Sequence, residues 1–204
     1  MSGNNIKNFK SIKSVELKPL HIYILFHLRR ANIDYAKSIA KSLKMDQPEI
    51  ERVLKELESL GLIERTRGSA IKRSEARFKL SYEVRKHHTY YELTKDGEHT
   101  MRSIRDAFDK YLASLTGHDA TFEVLQFFRR AGCEHAGVIS RTFSMKIDEC
   151  RRLLTELVQL GLLAYCDSKV PKRKHRRGKP KKETKTHHKY YKLSRLSELM
   201  LRHM

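Results

Sequence analysis

Apolar positions in the first half of the chain recur at helical spacing and then alternate. From Pro19 to Arg30, Leu20, Ile24, Leu25 and Leu28 form one stripe, which predicts an amphipathic helix opened by proline at its first position. A second helix is expected from about Asp34 to Leu43, with Tyr35, Ile39 and Leu43 inward. Asp46-Gln47-Pro48-Glu49 opens a third, with Asp46 as cap and Glu49 reaching back, and Ile50, Val53, Leu54, Leu57 and Leu60 as its stripe. Gly61 ends it, as a left-handed residue beyond a helix does. Leu62 to Arg65 then reads as a strand whose partner is Thr89 to Thr94, joined by a long polar hairpin at roughly 66–88. Residues 95–115 read as one long closing helix, with Met101, Ile104, Phe108, Tyr111, Leu112 and Leu115 on one face.

The pattern then repeats. Leu28-Arg29-Arg30-Ala31 aligns with Phe128-Arg129-Arg130-Ala131 at an offset of 100, and the offset holds without a gap to the end of the chain. Leu60-Gly61-Leu62 meets Leu160-Gly161-Leu162, and HHTYYELT at 87–94 meets HHKYYKLS at 187–194. Such agreement marks an internal duplication. The second copy is expected to place helices at about 119–130, 135–143 and 147–160, strands near 162–166 and 188–193, and a short closing helix reaching Met204. The expected fold class is mainly α with small β wings (α+β): two tandem winged-helix domains. The expected divisions are a basic arm at 1–18, a first domain at 19–116, and a second at 117–204 whose basic wing spans 167–188.

The run RVLKELESLGLIER (52–65), followed by YYELTKDGE (90–98), resembles the third helix, wing and closing helix of MarR-like transcription regulators. The opening His21-x-Tyr23-Ile24-Leu25-x-His27-Leu28 is also similar to an archaeal winged-helix family of unknown function. The resemblance spans almost the whole chain, once per repeat. It implies that the third helix enters the major groove while the wing touches the flanking backbone or minor groove. Carried onto this chain, the groove-facing positions are Gln47, Pro48, Glu51, Arg52 and Lys55 in the first copy. In the second they are Ile147, Asp148, Arg151, Arg152 and Thr155. The first copy's third helix also carries Glu49, Glu56 and Glu58, and carboxylates repel phosphate. The second replaces the capping aspartate by Lys146 and sets Arg151 beside Arg152. The second copy is therefore expected to be the stronger anchor.

Charge sharpens the expectation. The 204 residues carry 43 Lys+Arg against 24 Asp+Glu, a formal net charge of +19, which speaks of polyanionic partners rather than of fold. The first wing holds Arg65, Arg67, Lys72, Arg73, Arg77, Lys79, Arg85 and Lys86 against Glu64, Glu75 and Glu83. The second holds Lys169, Lys172, Arg173, Lys174, Arg176, Arg177, Lys179, Lys181, Lys182, Lys185, Lys189 and Lys192 against Asp167 and Glu183. Strand alternation sets Tyr91 and Leu93 toward the core. It turns His88 and Tyr90 outward beside the first wing, and His188, Tyr190 and Lys192 beside the second, where they could donate to phosphate or stack on a sugar. Duplex DNA is the expected partner, bound by a regulator or accessory factor. If ~6–10 phosphates are neutralised, affinity should fall roughly 10³–10⁵-fold between about 50 and 200 mM salt. The basic run KRKHRRGKPKK (172–182) suits structured RNA or a ribosome as well. The acidic third helix of the first copy suits a basic protein partner, as in a protein-interaction module of transcription or replication machinery. A homodimer could form through the stripe of helix 95–115.

Other chemistry finds no foothold in the sequence. Cys133 and Cys150 align with Ile33 and Ile50 and are expected as small core residues, and Cys166 as a free thiol. The odd count and the lack of a C-x-x-C pair indicate neither a disulfide framework nor a zinc ribbon. His87 and His88, like His187 and His188, are strand neighbours that point to opposite faces, so neither pair chelates. With no glycine-rich phosphate loop, nucleophile set or carboxylate cluster, a non-enzymatic protein without cofactor, metal or small-molecule ligand is expected. No apolar run spans a bilayer and the N-terminus lacks a secretory h-region. A cytoplasmic, nucleoid-associated location without membrane contact is the expectation.

Overall fold

The computed structural model describes residues 17–66, 88–166 and 189–202. Helix α1, Pro19–Ala31, starts at proline as expected. Its N-terminus is closed by the Lys18 backbone N–H donating to His21 Nδ1 (3.2 Å). The chain then reverses at Asn32, whose φ is 59°. Where a helix was expected from Asp34, residues Ile33–Tyr35 form a short strand, β1, and helix α2 occupies only Ala36–Leu43. Asp34 accounts for the difference. Its buried carboxylate accepts from the Tyr35 N–H (2.9 Å) and the Ser38 hydroxyl (2.9 Å), so it caps the turn into α2 from outside the helix.

Helix α3, Gln47–Ser59, buries Ile50, Val53, Leu54 and Leu57. The expected capping bond is not made by the Asp46 side chain; the Gln47 amide instead donates to Glu51 Oε1 (2.7 Å). Gly61 ends the helix at φ 72°, with Leu62 N–H returning to the Leu57 carbonyl (3.0 Å). Strands β2 (Ile63–Arg65) and β3 (Tyr90–Leu93) follow, and the three-stranded antiparallel sheet has the order β1-β3-β2.

The expected single closing helix is two. Helix α4, Lys95–Asp106, and helix α5, Phe108–Thr116, meet at Ala107, whose φ and ψ (−134°, 42°) are not helical. The apolar stripe runs through the break because each part serves a different neighbour. Helix α4 packs on α1 and β3, whereas α5 packs on the helices of the second half. The Tyr111 hydroxyl also ties α5 back to the Leu17 carbonyl (2.8 Å).

The second half repeats the order with α6 (Thr121–Ala131), β4 (Glu134–His135), α7 (Ala136–Thr142), α8 (Ile147–Gln159), β5 (Leu163–Tyr165), β6 (Tyr190–Leu193) and α9 (Arg195–Met200). Its sheet order is β4-β6-β5, and Gly161 repeats the φ of 72° seen at Gly61. The short α9 packs on β6 and on α1 of the first half. The architecture is mainly helical with two small antiparallel sheets. One continuous apolar core runs through both halves.

Candidate nucleic-acid interface

Helices α3 and α8 have the same apolar stripe, so their solvent faces can be compared position by position. On α8, Arg151, Arg152 and Thr155 are exposed and line a shallow groove with Glu156 and Gln159. Arg151 is 3.3 Å from Asp148, but both side chains are well exposed, so water screens the pair and it holds Arg151 only weakly. Arg152 makes no ion pair with any described residue. The Thr155 hydroxyl donates to the Arg151 carbonyl (2.8 Å), which leaves its oxygen lone pairs toward solvent.

On α3 the corresponding groups are engaged. Arg52 pairs with Glu56 at 2.6 Å and Gln47 with Glu51, while Glu58 at the end of the helix is met by Arg65 of β2 at 2.8 Å. Glu56 also lies 2.9 Å from Nε2 of the buried His21. Lys55 is exposed between these carboxylates. A phosphate approaching α3 must displace carboxylates before it reaches Arg52. Of the cations on these faces, Arg52 is paired with Glu56 and Arg151 more loosely with Asp148, whereas Arg152 and Lys55 make no ion pair with any described residue.

The hydrogen bond from His21 and the Arg52 guanidinium hold the Glu56 carboxyl below the usual glutamate range. A depressed folded value means that the stabilisation is complete above the ordinary carboxylate value and is lost as pH falls through the folded one. Glu56→Gln should therefore flatten the acid limb of the stability curve, as read by thermal unfolding between neutral pH and about pH 3. An unchanged slope would mean that the contact is already absent in solution.

Around the strand ends, expectation and structure differ. Tyr91 and Tyr191 are buried as expected. Tyr90, expected to face outward, is only 4% exposed. The reason is the strand β1, which pairs Tyr35 with Tyr90 and packs ring on ring at 5.3 Å. Tyr35 also stacks on His88 at 4.6 Å, so that imidazole is covered on one face. Tyr190 is partly buried beside His135. Lys189 is exposed. The remaining expected contacts lie outside the described residues: Arg67, Lys72, Arg73, Arg77, Lys79, Arg85 and Lys86 in the first copy, and Lys169, Lys172, Arg173, Lys174, Arg176, Arg177, Lys179, Lys181, Lys182, Lys185 and His188 in the second.

A protein family described as uncharacterized and conserved in archaea (DUF2250) matches residues 12–104 and, a second time, residues 112–204. The chain belongs to that archaeal family. The two matches begin 100 residues apart, the offset of the internal repeat. No curated protein matches the chain.

In this member of DUF2250 the cysteines depart from expectation. Cys133 and Cys166 form a disulfide, with Cα atoms 6.5 Å apart and a sequence separation of 33. Cys133 is thus not simply a core residue, and Cys166 is not a free thiol. The bond ties the entry of β4 to the residue that follows β5, just where segment 167–188 begins. Cys150 is free and buried as expected, and burial pushes its thiol up. Thiol labelling should find none reactive in the native protein, one after denaturation, and three after denaturation with reductant. A count of three without reductant excludes the disulfide.

A polar cluster that sequence reasoning missed surrounds Asp34. Besides Tyr35 and Ser38, its carboxylate is 2.6 Å from His27 Nε2; Tyr23 in turn reaches His27 Nδ1 (3.4 Å) and Ser42 Oγ (3.1 Å). Arg195 of α9 donates to the Ser42 carbonyl (3.4 Å). Burial pushes the Tyr23 phenol up, which suits an internal buttress between the halves better than a reacting group. The second copy has Glu123, Phe127, Glu134, Val138 and Thr142 at these places, so only the first copy carries it. Helical spacing alone could have placed Tyr23 and His27 together. The stripe considered for a dimer seam is also internal: Met101, Ile104, Phe108, Tyr111 and Leu112 are all buried within the chain. Among the described residues, no three metal-ligating side chains converge and no helix is long and apolar enough to cross a membrane.

Proposed function

We propose that each half is a winged helix and that the chain binds duplex DNA as a regulator or accessory factor, anchored by its second copy. The order helix, short strand, helix, helix and two adjacent strands, found twice, supports the winged-helix reading. In it α3 and α8 are the groove-entering helices. The basic segments at roughly 66–88 and 167–188 supply sequence-independent phosphate contacts. The observation that carries the reading is the exposed, nearly uncommitted Arg151–Arg152–Thr155 face of α8 on a chain of net charge +19. A second use of the first copy is favoured by its α3, where Glu49, Glu51 and Glu58 offer a basic protein surface what they deny to phosphate.

The test offers duplex DNA, structured RNA and single strands at matched ionic strength. Preference for the duplex that survives competitor, with log K falling linearly in log salt at a slope of about 5–9 for ~6–10 phosphates, is the expected result. Equal, weak binding of all three removes the proposal.

A further inference from the structure

Among the described residues, Ile147 and Tyr165 are the large hydrophobic side chains left exposed. Tyr165 ends β5 with 44% of its surface in solvent. The Tyr191 ring lies 5.5 Å away at 42°, supporting Tyr165 from one side without covering it. Above the ring, Lys189 Nζ stands 5.7 Å from the centroid. Lys189 is itself exposed and its stem is flexible, so the cation can move aside to a phosphate. Tyr191 connects this ring to α8. Burial pushes its phenol up, the neighbouring Tyr165 adds to the push, and Arg151 opposes it. Helix α8 packs directly on β5. Tyr165 is thus backed by the buried Tyr191 on one strand and met by Lys189 from the same strand's start, beside the helix that carries Arg151.

The first copy is an internal control. At the three matching positions it has Arg65, Thr89 and Glu51. Arg65 is paired with Glu58 and Glu51 is held by Gln47. At these positions the first copy offers neither a ring nor an unpaired cation. The combination of ring and cation belongs to the copy whose α8 carries Arg152 without an ion pair to any described residue.

An exposed aromatic face flanked by cations is what proteins use to hold a nucleic-acid strand whose bases are unstacked. Every base has a π-face that can replace water on the ring, and the cations take the neighbouring phosphates. We propose that Tyr165 is a stacking platform for an unpaired base, so that the second copy prefers a duplex interrupted by such a base, as at a bulge or fork, over an uninterrupted one. This inference rests on the DNA-binding reading above and names the substrate feature that the same face selects.

The experiment uses the full chain and two probes at equal salt: an uninterrupted duplex, and the same duplex carrying one unpaired 2-aminopurine. The interrupted duplex should bind about 5- to 150-fold more tightly, the range that one stacked base contributes, and its 2-aminopurine emission should be quenched on binding. Tyr165→Ala should abolish both the preference and the quenching, while Tyr165→Phe keeps both because the ring alone is needed. Arg152→Ala should weaken both probes alike. Equal affinity of the wild-type chain for the two probes overturns the platform and leaves duplex binding intact. Quenching that persists in Tyr165→Ala overturns it too. Failure to bind either probe removes the platform together with the reading beneath it.

Discussion

Gly97→Ala is expected to destabilise the protein by about 2 kcal/mol, although alanine is the better helix former. Gly97 lies in the first turn of α4 and is buried. A Cβ there would stand only 1.9 Å from the Leu62 carbonyl oxygen and 2.9 Å from its carbon. These are backbone atoms and cannot rotate away. The same carbonyl is fixed by the Thr94 N–H (3.2 Å), and Thr94 caps α4 by accepting from Gly97 N (3.0 Å). Helix propensity alone would favour alanine by ~1 kcal/mol, whereas forcing a methyl into a packed, immovable site costs about 3 kcal/mol. The clash should win.

The second copy shows how that contact is otherwise solved. Ser197 stands where Gly97 does, almost fully buried, and its hydroxyl donates to the Leu162 carbonyl (2.6 Å). Helix α9 there leaves room for a side chain and fills it with a hydrogen bond. Denaturant unfolding of Gly97→Ala decides the matter. An unchanged or higher midpoint would show that α4 can take the position of α9 at no cost.

The features legible in the sequence are those that repeat a local rule over several turns. The stripe Ile50, Val53, Leu54 and Leu57 is buried, and so is its counterpart Cys150, Leu153, Leu154 and Leu157. Gly61 and Gly161 take the left-handed conformation that ends their helices. Strand β1 is hidden because three residues are too few for an alternation to declare itself, and Asp34, which reads as the start of a helix, is held by bonds to Tyr35, Ser38 and His27. Without β1, alternation alone turns Tyr90 the wrong way. The break at Ala107 is hidden because Ile104 and Phe108 keep helical spacing across it while the partners of the stripe change. Cys133 and Cys166 come together only through the fold, so their spacing carries no signal.

The same division holds at the candidate site. Arg151, Arg152 and Thr155 can be placed on the outer face of α8 from periodicity alone, and they lie there. The pairing of Arg52 with Glu56 follows a four-residue spacing that favours such contacts. Its third member, His21, comes from another helix, and local spacing cannot anticipate it. Tyr165 is exposed because a strand ends there, and a strand end is the least certain boundary in any sequence reading.

Reversing both Arg151 and Arg152 to glutamate should weaken duplex binding by about 10²-fold or more at ~0.1 M salt. Each phosphate that the protein no longer neutralises takes roughly 0.9 from the slope of log K against log salt, which at that concentration is about one decade of affinity. Two such phosphates therefore account for about two decades, and the introduced carboxylates add repulsion. Folding should be little affected, because the Arg151–Asp148 pair is exposed and Arg152 is not ion-paired to a described residue. Lys55→Glu reverses one exposed cation on the outer face of α3 in the first copy, a helix that also carries Glu49, Glu51 and Glu58. It should cost less than tenfold, with a slope lower by at most about one. Salt titration of both variants separates two effects that a single affinity would confuse: a shallower slope means that fewer phosphates are neutralised, whereas parallel lines mean a perturbation elsewhere. If the Arg151/Arg152 variant keeps the wild-type slope, or if Lys55→Glu weakens binding as much, the second copy is not the anchor and the exposed arginines of α8 have another use.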